Sequence, residues 1–246
     1  MLVLLPPSET KSDGGKDAAL DLAELSMPQL APTREILVQA LVDLASDVDA
    51  SCTALGLGPT QASEVERNAK LWVSATRPAI ERYTGVLFDA LETKSFTKVQ
   101  KAKALQRLAV GSALFGAVRA GDLIPAYRLS GGSKLPGMGT LRSLWKPELS
   151  KALVAEADGL IVDLRSGTYQ DLGPIPDALI ATVLTEKPDG SRTVVSHFNK
   201  HHKGLLARAL VISRAEPTDI TGVARVASKA GLRVEIASPR ELIILT

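Results

Sequence analysis

The stretch Ala178-Leu-Ile-Ala-Thr-Val-Leu-Thr185, Pro188-Asp-Gly190 and Arg192-Thr-Val-Val-Ser-His-Phe198 decides the fold class. Two runs rich in β-branched residues flank a Pro-Asp-Gly turn signal, which predicts an antiparallel hairpin. Immediately after it, Asn199 stands where it would cap a helix running to about Ser213. Upstream, Gly159-Leu-Ile-Val-Asp163 is a compact apolar run, and Leu2-Val-Leu-Leu5 is stopped by Pro6-Pro7; both read as short buried strands. Apolar spacing predicts helices over 33–50, 95–108 and 218–230, and one from Ser63, which with Glu66 reads as a capping box. A closing strand is expected near 232–236. Helices and strands mix without regular βαβ alternation. The expectation is therefore an α+β fold, a single compact domain over 1–246 with a mixed sheet surrounded by helices. The Gly-containing connection 130–139 is the one plausible seam, and no repeat or low-complexity tract interrupts the chain.

Apolar residues make up 45% and charged residues 23% of the 246, ordinary for a globular protein that buries a substantial core. Aromatics are only 4%, which argues against the stacking platforms of single-strand binders. The single Cys52 excludes an internal disulfide and fits a reducing compartment. Leu2–Leu5 is too short for a signal-peptide core, and nothing approaches the roughly 20 apolar residues of a membrane span. A cytoplasmic protein with no membrane partner is expected.

The charges are sorted into blocks. Residues 1–92 carry 14 acids against 7 bases; residues 93–147 carry ten bases against the single Asp122. Residues 148–189 turn acidic again, and 190–215 hold five bases, all three histidines and no acid. If the two basic blocks meet in space they form a positive cleft bounded by acidic surfaces, the field of a protein that holds polyanions. Otherwise the blocks interleave and pair off.

Four segments could carry chemistry. His197-Phe-Asn-Lys-His-His-Lys-Gly-Leu-Leu-Ala-Arg208 gathers histidines and cations at the end of a strand and the start of a helix, where free backbone N–H groups favour anions. His197 and His201 are four apart, as metal ligands on helices are, but the expected cap at Asn199 places His197 outside the helix and no acid is near. Phosphate binding is thus favoured over metal, with a merely solvated basic face as the plain alternative. Leu135-Pro-Gly-Met-Gly139 has the form of a helix-hairpin-helix turn, although Ser130–Ser133 does not read as its first helix. Pro6-Pro-Ser-Glu-Thr-Lys11 puts Ser8, Thr10 and Lys11 at a strand end, and Ser166-Gly-Thr-Tyr169 does the same after the strand at 160–164. There is no Walker loop, GxGxxG, CxxC, Gly-x-Ser-x-Gly or His-Glu-x-x-His, so no cofactor is expected.

The chain resembles the YaaA family of peroxide-stress proteins. The resemblance lies in Leu2-Val-Leu-Leu-Pro-Pro-Ser-Glu-Thr-Lys11, Arg82-Tyr-Thr-Gly85, Gly111-Ser-Ala-Leu-Phe-Gly-Ala-Val-Arg119 and Asp122-Leu-Ile-Pro-Ala-Tyr-Arg-Leu129. It continues through Leu141-Arg-Ser-Leu-Trp-Lys146, Val162-Asp-Leu-Arg-Ser-Gly-Thr-Tyr169 and Lys203-Gly-Leu-Leu-Ala-Arg208. It implies one α+β domain with a basic cleft, DNA binding that includes a helix-hairpin-helix element, and a role in limiting iron-driven damage during peroxide stress. Glu9 stands where the family's well-studied branch has Lys, His201 where that branch tends to have Lys, and Ala120-Gly121 replace a Pro-Leu pair, which marks a divergent branch.

The leading expectation is a non-enzymatic protein that holds double-stranded DNA by its phosphates, largely without regard to sequence. Lys11, Arg128, Arg142, Lys146, Lys200, Lys203 and Arg208 are its expected contacts. The alternative is an enzyme acting on a phosphorylated or nucleotide-like small molecule, with Lys11, Tyr127, Arg128, Ser166, Tyr169 and Lys203 converging in one pocket and Ser8 and Thr10 at its edge. A third reading has the histidines sequester iron.

Overall fold

In a computed structural model the backbone is described for residues 1–194 and 196–246, and the side chains of all of these but 59, 194 and 196–198. Ten strands are present among the described residues: β1 (Leu2–Leu5), β2 (Arg77–Pro78), β3 (Leu108–Ser112), β4 (Gly116–Arg119), β5 (Leu123–Ile124), β6 (Ile161–Asp163), β7 (Leu179–Glu186), β8 (Arg192–Val194), β9 (Arg233–Ser238) and β10 (Glu241–Leu245). The main sheet runs β4-β3-β1-β6-β7-β10-β9, with β8 pairing the far end of β7; β2 and β5 form a separate short ladder. The inner pairs β3–β1, β1–β6, β6–β7 and β7–β10 are parallel, and the margins β4, β8 and β9 are antiparallel. This is the expected mixed sheet in one α+β domain.

All four residues of β1 are buried, which explains why Leu2-Val-Leu-Leu5 is continuously apolar: a central parallel strand is covered on both faces. The helices 98–107 and 196–212 pack on β1, and the helix 148–156 packs on β4. The helix Ser196–Ile212 also crosses Val86–Leu91 at Gly204, where an added Cβ would meet the Leu87 carbonyl oxygen and lie 2.8 Å from the Ala90 Cβ.

The predicted hairpin is present as β7 and β8, closed by a turn in which Gly190 takes φ +81° and its N–H bonds to the Lys187 carbonyl. Its second strand ends at Val194, not Phe198, because the following helix starts at Ser196. Asn199 therefore lies inside that helix and does not cap it; its Oδ1 is buried without a hydrogen-bond partner. The helix expected over 33–50 is two helices, Ala31–Leu44 and Val48–Leu55, since Asp47 turns out of helical conformation and accepts from the Ala50 N–H as a new cap. Ser63 makes no capping bond, because the preceding 3-10 turn carries the chain into the helix with Ala62 already helical. The capping box lies instead at Thr97 and Gln100, opening Lys98–Arg107. The helix Ile220–Lys229 and the strand β9 match expectation, and β10 is a further strand beyond those expected from the sequence.

Candidate functional site

The parallel strands β1, β3 and β6 end side by side, and polar side chains collect beyond their carboxyl ends, the usual place for sites in such sheets. Beyond β1, Lys11 is buried, 7% exposed, and its Nζ donates to the carbonyls of Ser8 (2.9 Å) and Glu9 (3.2 Å). The same ammonium lies over the ring faces of Tyr127, 4.2 Å from its centroid, and Tyr83, 5.4 Å away. Desolvation lowers the Lys11 pKa to about 7; Glu9 opposes the shift and Arg128 adds to it. The pair of ring faces favours the charged form and works against the desolvation.

From the end of β3, Ser112 accepts from the Phe115 N–H and is hydrogen-bonded to Tyr127 (2.7 Å), which in turn is bonded to Tyr83 (2.7 Å). Burial raises both phenols, Tyr83 to about 12, so both are neutral donors. Tyr169 is also buried and raised by desolvation, and its oxygen accepts from the Gly131 N–H, which ties the loop 130–139 to this cluster. Asn68 holds Arg128 by both backbone bonds, and the Arg128 guanidinium stands 3.8 Å from Glu9. Glu9 Oε2 and Arg128 Nε are buried and have no hydrogen-bond partner.

Beyond β6 a second group forms. Arg165 grips Asp163 with Nε (2.9 Å) and a terminal nitrogen (2.7 Å), and also donates to the carbonyls of Tyr169 and Gly173. Lys203, 8% exposed, donates to the carbonyl of Leu164 (3.0 Å); desolvation lowers its pKa to about 8, opposed by Asp163.

The structure thus sorts the expected contacts. Lys11, Tyr127, Arg128 and Tyr169 converge, with Ser8 and Thr10 hydrogen-bonded to each other at the edge (3.1 Å). Ser166 stays exposed at the start of the helix Gly167–Leu172, and Lys203 stands at the neighbouring strand end. Lys11 and Lys203 are inside the protein and cannot meet a duplex backbone from the surface as they stand. Arg208 is spent on the carbonyls of Leu91 and Glu92 and the Glu92 carboxylate. Arg142, Lys146 and Lys200 are exposed and form no ion pair among the described residues.

No helix lies between Ile124 and Leu141 among the described residues, so the Leu135–Gly139 turn, with Gly137 at φ +70°, has a following helix but no preceding one. It is a glycine turn leading into Leu141–Trp145, capped by Thr140, and not a complete helix-hairpin-helix. The backbone of His197 falls in the same helix as His201, contrary to expectation, while its side chain is outside the described residues; among those described, no three His, Cys, Asp or Glu side chains could hold a metal. No described helix is long and apolar enough to cross a membrane.

Tyr83, Ser112 and Glu9 were not read as a site from sequence. Tyr83 and Ser112 stand within quoted points of resemblance, but a hydroxyl chain assembled from positions 83, 112 and 127 has no periodicity to reveal it.

The family profile described as "Peroxide stress protein YaaA" matches residues 1–235. The chain belongs to the YaaA peroxide-stress family. A UPF0246 protein of Corynebacterium efficiens is 50% identical over 245 residues, covering 98% of this chain and 97% of the relative. A UPF0246 protein of Streptomyces coelicolor is 40% identical over 245 residues, with 97% and 94% covered. This YaaA-family chain thus aligns over the β1 loop, the hydroxyl chain and the β6 end together.

The Lys11 environment predicts a pH effect on this family member's stability. The folded pKa, about 7, lies below the ordinary 10.5, so between these values the unfolded state binds more protons and stability rises with pH. Stability from this group is full above 10.5 and lost as pH falls toward 7. Lys11→Met should therefore gain on the parent as pH falls through that window, by on the order of a few kcal/mol, in urea melts at pH 7 and pH 10. Parallel curves for the two proteins would show that Lys11 is charged when folded.

Proposed function

We propose that this protein serves in peroxide stress by holding double-stranded DNA through its phosphates, largely independent of sequence, and so shields it from iron-driven damage. The observation that supports this reading is a set of exposed cations with no partner among the described residues: Lys94, Lys98, Lys101, Lys134, Arg142, Lys146 and Lys200. The basic blocks do pair off in part, since Lys103 and Arg107 bind Glu216, Arg119 binds Glu156 and Arg208 binds Glu92. The remainder is an unneutralised excess. Meanwhile the acidic block 1–92 hides Lys11, Arg34 and Arg82 inside, which leaves its surface more acidic than its composition. The exposed charges of the sequence blocks thus differ in sign more sharply than their compositions, which supports a protein that meets a polyanion. With DNA as partner, its place is the cytoplasm.

Each phosphate contact releases counterions, so replacing Arg142, Lys146 and Lys200 together by Ala should flatten the slope of log K against log salt by about 2.7 units, at about 0.9 per contact. The loss should be equal for unrelated duplexes. Lys203→Ala, by contrast, should lower stability and leave the slope alone, because its amine is bound to the Leu164 carbonyl. Fluorescence anisotropy across salt concentrations measures both. A slope near zero in the parent protein, or strong preference for one duplex, would overturn the reading.

A further inference from the structure

We infer that Lys11 is a Schiff-base-forming amine and that the cluster around it takes a sugar-phosphate aldehyde, with Arg128 toward the phosphate and Glu9 as the base. Lysine is almost never this buried unless it is paired, and Lys11 forms no ion pair among the described residues; a Met of similar length would fill the space without desolvating a charge. Here the amine is fixed by two carbonyls and two ring faces at the carboxyl ends of parallel strands. Desolvation to a pKa of about 7, in the combined field of Glu9, Arg128, Glu64 and Arg67, leaves much of it as free amine at neutral pH, the nucleophilic form.

The neighbours supply what the chemistry needs. Glu9 Oε2 has no hydrogen-bond donor and faces the Arg128 guanidinium across 3.8 Å, so its lone pairs are available to a proton; Arg128 Nε has no acceptor, so it is available to an anion. Ser112, Tyr127 and Tyr83 carry three hydroxyl protons but share only two O···O contacts, and Ser112 already accepts from Phe115 N–H. One proton at an end of that chain therefore lacks an acceptor within it, and a ligand oxygen would provide one.

The Lys11 nitrogen adds to the aldehyde carbon, the carbonyl oxygen takes a proton, and loss of water leaves a C=N bond. Glu9 then removes a proton from the adjacent carbon, and its C–H electron pair becomes a C=C bond as the C–O bond one carbon further breaks. In an abasic site the bond that breaks is to the 3′-phosphate, which leaves with that electron pair. In deoxyribose 5-phosphate, whose phosphate is on carbon 5, it is to the carbon-3 hydroxyl, which takes the proton held by Glu9 and leaves as water. Water then hydrolyses the imine to return Lys11. Two sources carry this aldehyde: a free sugar phosphate, and an abasic site in DNA whose sugar is turned out of the duplex to reach the buried amine, the second resting on the DNA reading above.

The full chain would be treated with cyanoborohydride and, in separate arms, deoxyribose 5-phosphate, a duplex with one abasic site, and an intact duplex. The expected result is an irreversible adduct in at least one aldehyde arm, mapped to Lys11 by peptide mass, forming half-maximally near pH 7 and absent from Lys11→Met. An adduct only with the abasic duplex assigns DNA as the source, and one only with deoxyribose 5-phosphate assigns a small molecule. Mapping on the parent protein keeps the test valid even if Lys11→Met does not fold. No adduct in either arm, or label confined to exposed lysines such as Lys200, overturns the inference. Retention of the intact duplex is scored separately: a bound duplex without adduct sinks this inference alone, and an adduct without duplex retention sinks the DNA reading alone.

Discussion

Arg165→Met is expected to cost about 3–5 kcal/mol of unfolding free energy, because it leaves the Asp163 carboxylate buried without its partner. Both side chains are almost wholly inside, 1% and 4% exposed, and the guanidinium meets the carboxylate with two nitrogens. The remaining donors of Arg165 close the carbonyls of Tyr169 and Gly173, so the same change orphans two acceptors beneath the helix that carries Tyr169. The double variant Asp163→Leu with Arg165→Met should recover a large part of the loss, since neither charge is then stranded. Urea midpoints for the two single variants and the double variant give the coupling directly. Additive losses, with no recovery in the double variant, would show that the pair is not the source of the effect.

Gly204→Val is the second large effect. In isolation, replacing a helical glycine gains stability, by about 1 kcal/mol for Gly to Ala. In this helix the Gly204 backbone lies against Leu87 and Ala90 of the crossing helix 86–91, and any Cβ meets backbone, which cannot swing aside. Overpacking of this kind typically costs 1–3 kcal/mol or more, so Val should lose about 3 kcal/mol and Ala rather less, against the direction of propensity. The separation of the two helices should also displace Lys203, the neighbour of Gly204, from the Leu164 carbonyl. Thermal melts of both variants check this, and a stabilised Gly204→Ala would show that the crossing has room to spare.

Much of the fold was legible. The continuous run Leu2–Leu5, the Pro-Asp-Gly hairpin and the periodicity of 98–107 and 220–229 reflect local rules, namely burial on both faces, turn geometry and amphipathic spacing, and each element appears. The failures lie at helix starts. Asn199 and Ser63 have the chemistry of caps, but a cap forms only where the backbone leaves helical conformation, and at both places the helix already runs through the residue or begins at it. Asp47 and Thr97 took that role because the chain turns there.

The segregation of charge and the kinship with peroxide-stress proteins were contained in the order of residues alone. Neither needs knowledge of contacts, since net charge in a block and identity at a position are properties of the chain itself. What each basic residue does was settled only by tertiary structure. Lys11, Lys203 and Arg208 read as surface cations beside Lys200, Arg142 and Lys146, yet folding turned the first two inward onto carbonyl groups and tied the third to Glu92. The cause is that the parallel strands β1, β3 and β6, drawn from residues 2–5, 108–112 and 161–163, end together. Their carbonyls and hydroxyls form an interior polar environment that only a neighbouring donor can satisfy, and a sequence does not show which donor that is.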